Sequence, residues 1–517
     1  TSLGDFEAAV AQGQRATELI LSIRQQLDYA RLGPAWSKQS FPIFLRYFEA
    51  LVKLHEQTGD TALLSKAFLI AEQGQAFDLS RQREASLFNQ SPASDDSKTL
   101  LAELTSLARA RAARAASAEG ENLDLAYFRA RERYQASLDL NGHQAVIRLR
   151  DVADLQSRLP ADEALVKFLC VPDSNCYRFT VTSQAFSLTD LGSAEDILLF
   201  SLALQNELRQ PGSVNLSASD RLGQLLFDEE FTATIGPAVT HLHVTGNYPL
   251  NSIPLAVLEY QQRSLVQQFS LNSIPAASAL LEAPMQQTSY DFDLAIMADP
   301  EFSPAVADAG LLEGLAFAGD SMRGWYGELE RLPWSALEAE NLQQAFSEQR
   351  VRTLTGSQAN KPNLLDARTR NSRIVHIASH GYFNQATPDL VGIATSPADG
   401  DGGFMTLEDL LMHPFNSELV VISGCETGLG QDRGGEGMMS LSRAFLGQGV
   451  DHVIATQWPV SDRASAEFMK LFYEALDLET MNVAQALREA QLQLAAMPAF
   501  RSPFYWAPYV LTSIGSD

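Results

Sequence analysis

A chain of 517 residues exceeds what one hydrophobic core supports, so two or three domains are expected. Its 63 acidic against 38 basic residues leave a formal net charge of −25. That charge disfavours nucleic acid and anionic membrane as direct partners, and no apolar run approaches the roughly 18 residues that cross a bilayer.

The opening Thr1-Ser2-Leu3-Gly4-Asp5 has neither a basic flank nor an apolar core and reads as a trimmed start, not a secretory signal. Residues 1–150 read as an all-α domain. Segment 42–57 carries apolar residues at three- and four-residue spacing and closes at Thr58-Gly59-Asp60, where glycine ends one helix and aspartate caps the next. The following ALLSKAFLIAEQGQAFDLSRQ repeats the pattern, and two such antiparallel helices make one unit of a tetratricopeptide-like repeat. After a polar loop at 89–96, two further helices are expected, LLAELTSLARARAARA and LAYFRARERYQASLDL. Their arginine-rich faces read as solvated surface.

Near residue 150 the texture changes. ALVKFLCV, CYRFTVTS and THLHVTG are short runs rich in β-branched and aromatic residues, as strands are. A second block follows with DLAIMADP, VRTLTG, RIVHIAS, ELVVISG and DHVIATQW, separated by helical patterns. Strands alternating with helices predict a mainly parallel sheet covered by helices on both faces, with sites at the carboxyl ends of strands. Expected domain limits are 1–150, 151–285 and 286–517.

Three cysteines, an odd number, make no disulfide framework and have no zinc spacing with the eight histidines. A reducing, cytoplasmic setting is therefore expected. Cys170 and Cys176 read as core or hairpin residues. Cys425 ends the strand Leu419 to Ile422 in ISGCETG, and His380 ends the strand Ile374 to Ala378 in HIASHG. If those strands are neighbours, imidazole and thiol emerge at one edge. Their separation of 45 residues (425 − 380) suits the caspase arrangement. A thiol with a pKa near 8.5 is only about a few per cent thiolate at neutral pH, so a nearby base is needed to activate it. Gly381 and Cys425 can offer backbone N–H groups to a developing oxyanion. Other templates fail: Ser423 stands where an α/β-hydrolase needs glycine, and the run 428–437 lacks the Gly-Lys-Ser/Thr ending of a phosphate loop. Read singly, Cys425 could be a core cysteine and His380 a satisfied loop histidine; His376 reads as structural.

Several segments in fixed order, among them HLHVTGNYPLNSIPLAVLEY, VHIASHGYF, ELVVISGCETGLG, TQWPVSD and FYWAPYVLTSIG, resemble the CHAT family of caspase-like domains from about residue 155 onward. The resemblance implies an α/β caspase-like fold with a first, inactive half (151–285) and a catalytic half (286–517). It implies a cysteine endopeptidase with His380 as base, Cys425 as nucleophile, and the Gly381 and Cys425 amides as oxyanion hole. No metal or cofactor is needed for this chemistry. Gly424 departs from the alanine common in that family. TQWPVSD is similar to a segment of separases in which an acidic residue receives a basic side chain, making Asp462 a substrate-pocket candidate alongside Glu426 and Asp432. Asp462 could equally cap its own helix together with Ser461. Expected partners are a protein or peptide substrate and an activating or inhibiting protein bound through residues 1–150, in a setting of bacterial defence or programmed death. Two rival readings stand beside it: a catalytically silent scaffold, and a thiol acyltransferase or hydrolase of small substrates.

Overall fold

The computed structural model describes residues 5–26, 29–75, 79, 83, 99–100, 103, 107, 126, 129–130, 133, 149–282, 289–302, 329–346, 350–383, 391–398, 403–406, 409–410, 413–424, 431–432, 438–439 and 441–515. Of 24–26, 29–38, 382–383, 391, 431–432 and 438–439 it describes the backbone alone. An 11-stranded sheet runs through the molecule. Its strands are β1 (Glu163–Cys170), β2 (Asn175–Thr182), β3 (Phe186–Ser193), β4 (His241–Gly246), β5 (Ser270–Ser273), β6 (Phe292–Pro300), β7 (Val351–Gly356), β8 (Ser372–Ala378), β9 (Leu419–Ile422), β10 (His452–Thr456) and β11 (Tyr509–Ser513). Their spatial order is β3-β2-β1-β4-β5-β11-β10-β9-β8-β6-β7. Pairing is parallel except for β1–β2, β2–β3 and β10–β11. The mainly parallel sheet expected from the sequence is thus found, in one continuous piece that joins both strand-rich blocks.

Parallel strands covered on both faces favour apolar residues at successive positions, which is why β9 reads LVVI and β10 reads VIA between His452 and Thr456, both strands being buried throughout. Alternation divides the core in two. Ile374 and Ala378 of β8 join a cluster with helices α4 (Ala194–Leu208), α5 (Ser217–Leu226), α6 (Glu229–Ile235), α7 (Pro333–Ala345), α9 (Asp462–Ala475) and α10 (Val483–Ala496). Val375 and Ile377 face the other way. They share a cluster with the N-terminal helices α1 (Phe6–Gln26), α2 (Tyr29–Thr58) and α3 (Ala62–Gln73), and with α8 (Leu441–Gly447).

The α2–α3 turn follows the sequence reading. Gly59 takes φ +70, a left-handed conformation that glycine adopts without strain, and the Asp60 carboxylate accepts from the Ala62 N–H at 2.9 Å. The two later helices expected near 100–140 fall largely outside the described residues. Helices α2 and α3 lie on β2 through aromatic edges. Fully buried Phe179 has Phe48 at 5.8 Å, Phe68 at 5.1 Å and Phe186 at 5.7 Å between ring centroids. Phe179→Ala should therefore cost about 3–5 kcal/mol, read as a lowered urea midpoint.

Two buried cations reinforce that docking. Lys167 of β1 donates to Glu72 Oε1 at 2.5 Å and also to Gln75. Arg83 donates to the carbonyls of Leu446 (3.2 Å) and Val450 (2.6 Å) and to the Asp451 carboxylate. Arg83 and Asp451 are both 2% exposed, so the pair sits in the dry interior.

One expectation is corrected. Cys170 and Cys176 face each other across the β1–β2 pair and are joined as a disulfide, so they are not free thiols and do not support a reducing setting. They are buried hairpin residues as read. Among the described residues no helix is long and apolar enough to cross a membrane. The halves meet where β5 and β11 share a single residue pair, Ser273 with Thr512. Residues of both strands border a cavity of about 170 Å³ along this seam.

Candidate active site

The register of β8 and β9 decides what can meet at the sheet's rim. Ile374 lies opposite Leu419 and Ile377 opposite Ile422, with the strands parallel, so both chains leave the sheet at the same edge. The pairing continues one step further, the Ser423 N–H donating to the Ile377 carbonyl at 2.8 Å. His380 follows two residues after the end of β8. Gly424, two residues after the end of β9, is buried, and its carbonyl accepts from the Thr456 hydroxyl at the end of β10. Cys425 and Glu426 lie outside the described residues, as does most of the run 428–437. Asp432 belongs to a two-residue strand paired with Met438–Met439; its side chain is not described.

His380 is partly exposed and held through one ring nitrogen. Its Nε2 lies 2.8 Å from the main-chain carbonyl of Glu330, which can only accept, so Nε2 carries the proton and Nδ1 is left as the basic atom. The Phe302 ring stands 5.4 Å from the imidazole, tilted by 52°. Gly381 opens a short strand, Gly381–Phe383, antiparallel to Val391–Ala394. The Ala394 N–H donates to the His380 carbonyl, so by the alternation of an antiparallel ladder the Gly381 N–H points away from the partner strand.

Sequence reasoning missed the group that holds Glu330. Asp299, near the end of β6, has φ +49, sits at a register shift between β6 and β7, and is 5% exposed. Both its carboxylate oxygens accept from Arg331, from Nε at 2.7 Å and from Nη2 at 2.6 Å. Its N–H donates to Ser335 Oγ at 2.9 Å, and that hydroxyl donates to the Leu332 carbonyl at 2.7 Å. The faint sequence signal was an Asp-Pro pair closing a strand.

Asp462 caps a helix, but not its own. Ser461 makes no side-chain cap bond to α9, whereas Asp462 Oδ2 accepts at 2.9 Å from the N–H of Trp334 in the first turn of α7. Burial pushes the Asp462 carboxyl above its ordinary range; the Trp334 N–H pulls it down, Glu338 and Asp299 push it up, and His380 pulls it down. Asp462 and His380 therefore belong to one electrostatic neighbourhood. Beneath the rim, His376 is fully buried, as its structural reading requires. Its Nδ1 lies 3.2 Å from the Tyr473 hydroxyl, and its Nε2 lies 2.6 Å from Glu338 Oε1 at an angle outside hydrogen-bond geometry. Burial raises the Tyr473 hydroxyl well above its usual value, keeping it neutral. No cluster of metal-ligating side chains occurs among the described residues.

Comparisons with known proteins agree with this architecture. The model of the CHAT domain matches residues 216–516. Tetratricopeptide repeat protein 28 of Mus musculus is 25% identical over 311 residues, which cover 51% of this chain and 12% of that protein. The separase–securin complex of Saccharomyces cerevisiae aligns over 99% of this chain and 38% of the matched one, at 11% identity and a TM-score of 0.50. Gingipain R, an Arg-specific cysteine proteinase, aligns over 69% and 78% at 9% identity and a TM-score of 0.37. The chain thus spans about an eighth of the length of the curated relative.

Proposed function

Because the chain belongs to the CHAT-domain family, we propose that it is a cysteine endopeptidase in which His380 and Cys425 form the reacting pair. The observation that carries this reading is the shared edge of β8 and β9: His380 is the residue after Ser379, and Cys425 is bonded to Gly424, whose carbonyl is fixed by Thr456.

The chemistry follows from the tautomer. Nδ1 of His380 takes the thiol proton, and the sulfur attacks the scissile carbonyl carbon. The Gly381 and Cys425 amides hold the oxyanion. The imidazolium then gives its proton to the leaving amine, and the carbonyl C–N bond breaks to leave a thioester. Water, deprotonated by the same imidazole, hydrolyses it and restores the thiol. A peptidyl chloromethyl ketone should alkylate Cys425 and no other residue, as mapped by mass spectrometry. Labelling spread over several side chains, or unchanged by His380→Ala, would count against the pair.

Asp462 gives the reading a substrate preference, a basic residue before the cut, received by a carboxylate beside His380. Asparagine keeps the acceptor for the Trp334 N–H, so Asp462→Asn should retain the cap, whose loss would cost about 1 kcal/mol. A charge-assisted hydrogen bond contributes about 1.5–3 kcal/mol. Hydrolysis of peptides with arginine before the cut should therefore fall by roughly 10- to 100-fold in kcat/KM, with norleucine peptides unaffected. Unchanged hydrolysis of both peptides would leave Asp462 as a cap alone. The raised carboxyl also fixes a pH trend. A carboxyl whose folded pKa exceeds its unfolded value contributes stability that is present at low pH and lost as pH rises through the folded pKa. Asp462→Asn should therefore gain stability over wild type near neutral pH and match it near pH 3, by urea midpoint.

Residues 1–150 are proposed to bind a protein partner that controls the protease. What supports this is the burial of Arg83 against Leu446, Val450 and Asp451, the last of which immediately precedes the strand that carries Thr456.

A further inference from the structure

We infer that Asp299 and Arg331 form a positioning clamp that sets the tautomer of His380, acting through the main-chain carbonyl of Glu330. The inference rests on the proteolytic reading for its catalytic consequence, though not for its geometry.

The clamp begins with backbone distortion. A left-handed φ is rare for a residue other than glycine, and a shift in strand register re-aims the side chain that follows it. Both occur at Asp299, at the rim where β6 lies beside β8 and Ala298 pairs with Ala378. Such a cost persists only where the surroundings enforce it, and here they do. The carboxylate is nearly closed to solvent, and both its oxygens are occupied by one guanidinium in a forked pair. Arg331 is thereby fixed in direction although its side chain is 64% exposed. Its neighbour in the chain is Glu330, whose carbonyl accepts the hydrogen bond from His380 Nε2–H.

The rest of the segment is pinned in the same sense. Ser335 joins the Asp299 N–H to the Leu332 carbonyl, and Asp462 holds the Trp334 N–H. Glu338, one turn further along α7, stands against His376 on β8, four residues before His380. The carbonyl at residue 330 is thus referenced to the strand that carries the imidazole. An imidazole without that acceptor would divide between its two neutral tautomers, and only the form with Nδ1 unprotonated can serve as base in this geometry.

The test reads the tautomer directly. The 517-residue chain labelled with 15N-histidine, held at a pH where His380 is neutral, should show His380 protonated at Nε2 in the wild type; the His380→Gln spectrum assigns its signals. In Arg331→Ala those two nitrogen signals should move towards each other. Losing the partner that orients a metal-ligating imidazole costs about 10- to 100-fold, and on the same orienting logic kcat should fall by roughly that factor here with KM within about twofold. Arg331→Lys should restore part of both. Asp299→Asn is the second variant should Arg331→Ala fold poorly, since asparagine tolerates a left-handed φ. A role confined to loop stability would lower the melting temperature and leave the nitrogen signals in place, which overturns the clamp. An unchanged kcat in an active enzyme overturns it as well. Moved nitrogen signals in a protein that cleaves no peptide even as wild type would uphold the clamp and remove the proteolytic reading, so the two can fail separately.

Discussion

Alanine at Cys425 is expected to abolish peptide hydrolysis, and alanine at His380 to reduce it by at least about 10²- to 10⁴-fold, the share general acid–base catalysis usually supplies. On the proposed mechanism the two groups act as one unit. The thiolate forms only when Nδ1 accepts its proton, and the imidazolium has no amine to protonate unless sulfur has attacked. The double variant should therefore be no slower than Cys425→Ala alone, because removing a second member of a unit removes nothing further. The measurement is kcat/KM on a peptide library, with the cut positions read by mass spectrometry. Residual cleavage at the same bonds in Cys425→Ala would overturn the assignment of the nucleophile. A silent scaffold predicts the opposite pattern: no cleavage by any form, and undisturbed cellular function in Cys425→Ala.

Arg83→Met should be about as destabilising as Phe179→Ala. It removes the cation from a pair in which both side chains are 2% exposed and leaves the Asp451 carboxylate in low-dielectric surroundings. Breaking a buried pair from one side costs about 3–5 kcal/mol, whereas replacing both partners by apolar residues is often close to neutral. Arg83→Met/Asp451→Leu should accordingly recover much of the loss, although the carbonyls of Leu446 and Val450 still forfeit their donor. Urea midpoints for the two single variants and the double close the cycle. A double variant that loses the sum of the singles would deny any coupling between the two side chains.

The strands of the sheet were the most legible part of the sequence. A strand buried on both faces has no polar positions to break its run, and LVVI of β9 and HVIAT of β10 stand where the reading put them. The carboxyl-end location of His380 followed from the same pattern. Pairing order was not legible, since nothing local in Ser270–Ser273 or Tyr509–Ser513 says that these strands join two halves into one sheet. The clamp was hidden for the same reason: Asp299 and Arg331 are 32 residues apart, and their meeting depends on a backbone distortion that periodicity does not encode. Asp462 was identified as a cap or a receptor, but its capped helix lies 128 residues away, and only the fold brings it near. The Cys170–Cys176 bond was missed by counting cysteines when their opposition across a hairpin was the informative feature.

The polarity of the strands has a practical corollary. β10 runs antiparallel to β11, and β11 runs parallel to β5, β4 and β1, so those three strands of the first half point their carboxyl ends at the edge remote from His380. The turns that follow β4 and β5, at Asn247–Tyr248 and Pro275, lie at that far edge, with Tyr248 exposed there. A tag or fluorophore attached at Tyr248 would therefore sit at the edge of the sheet opposite His380.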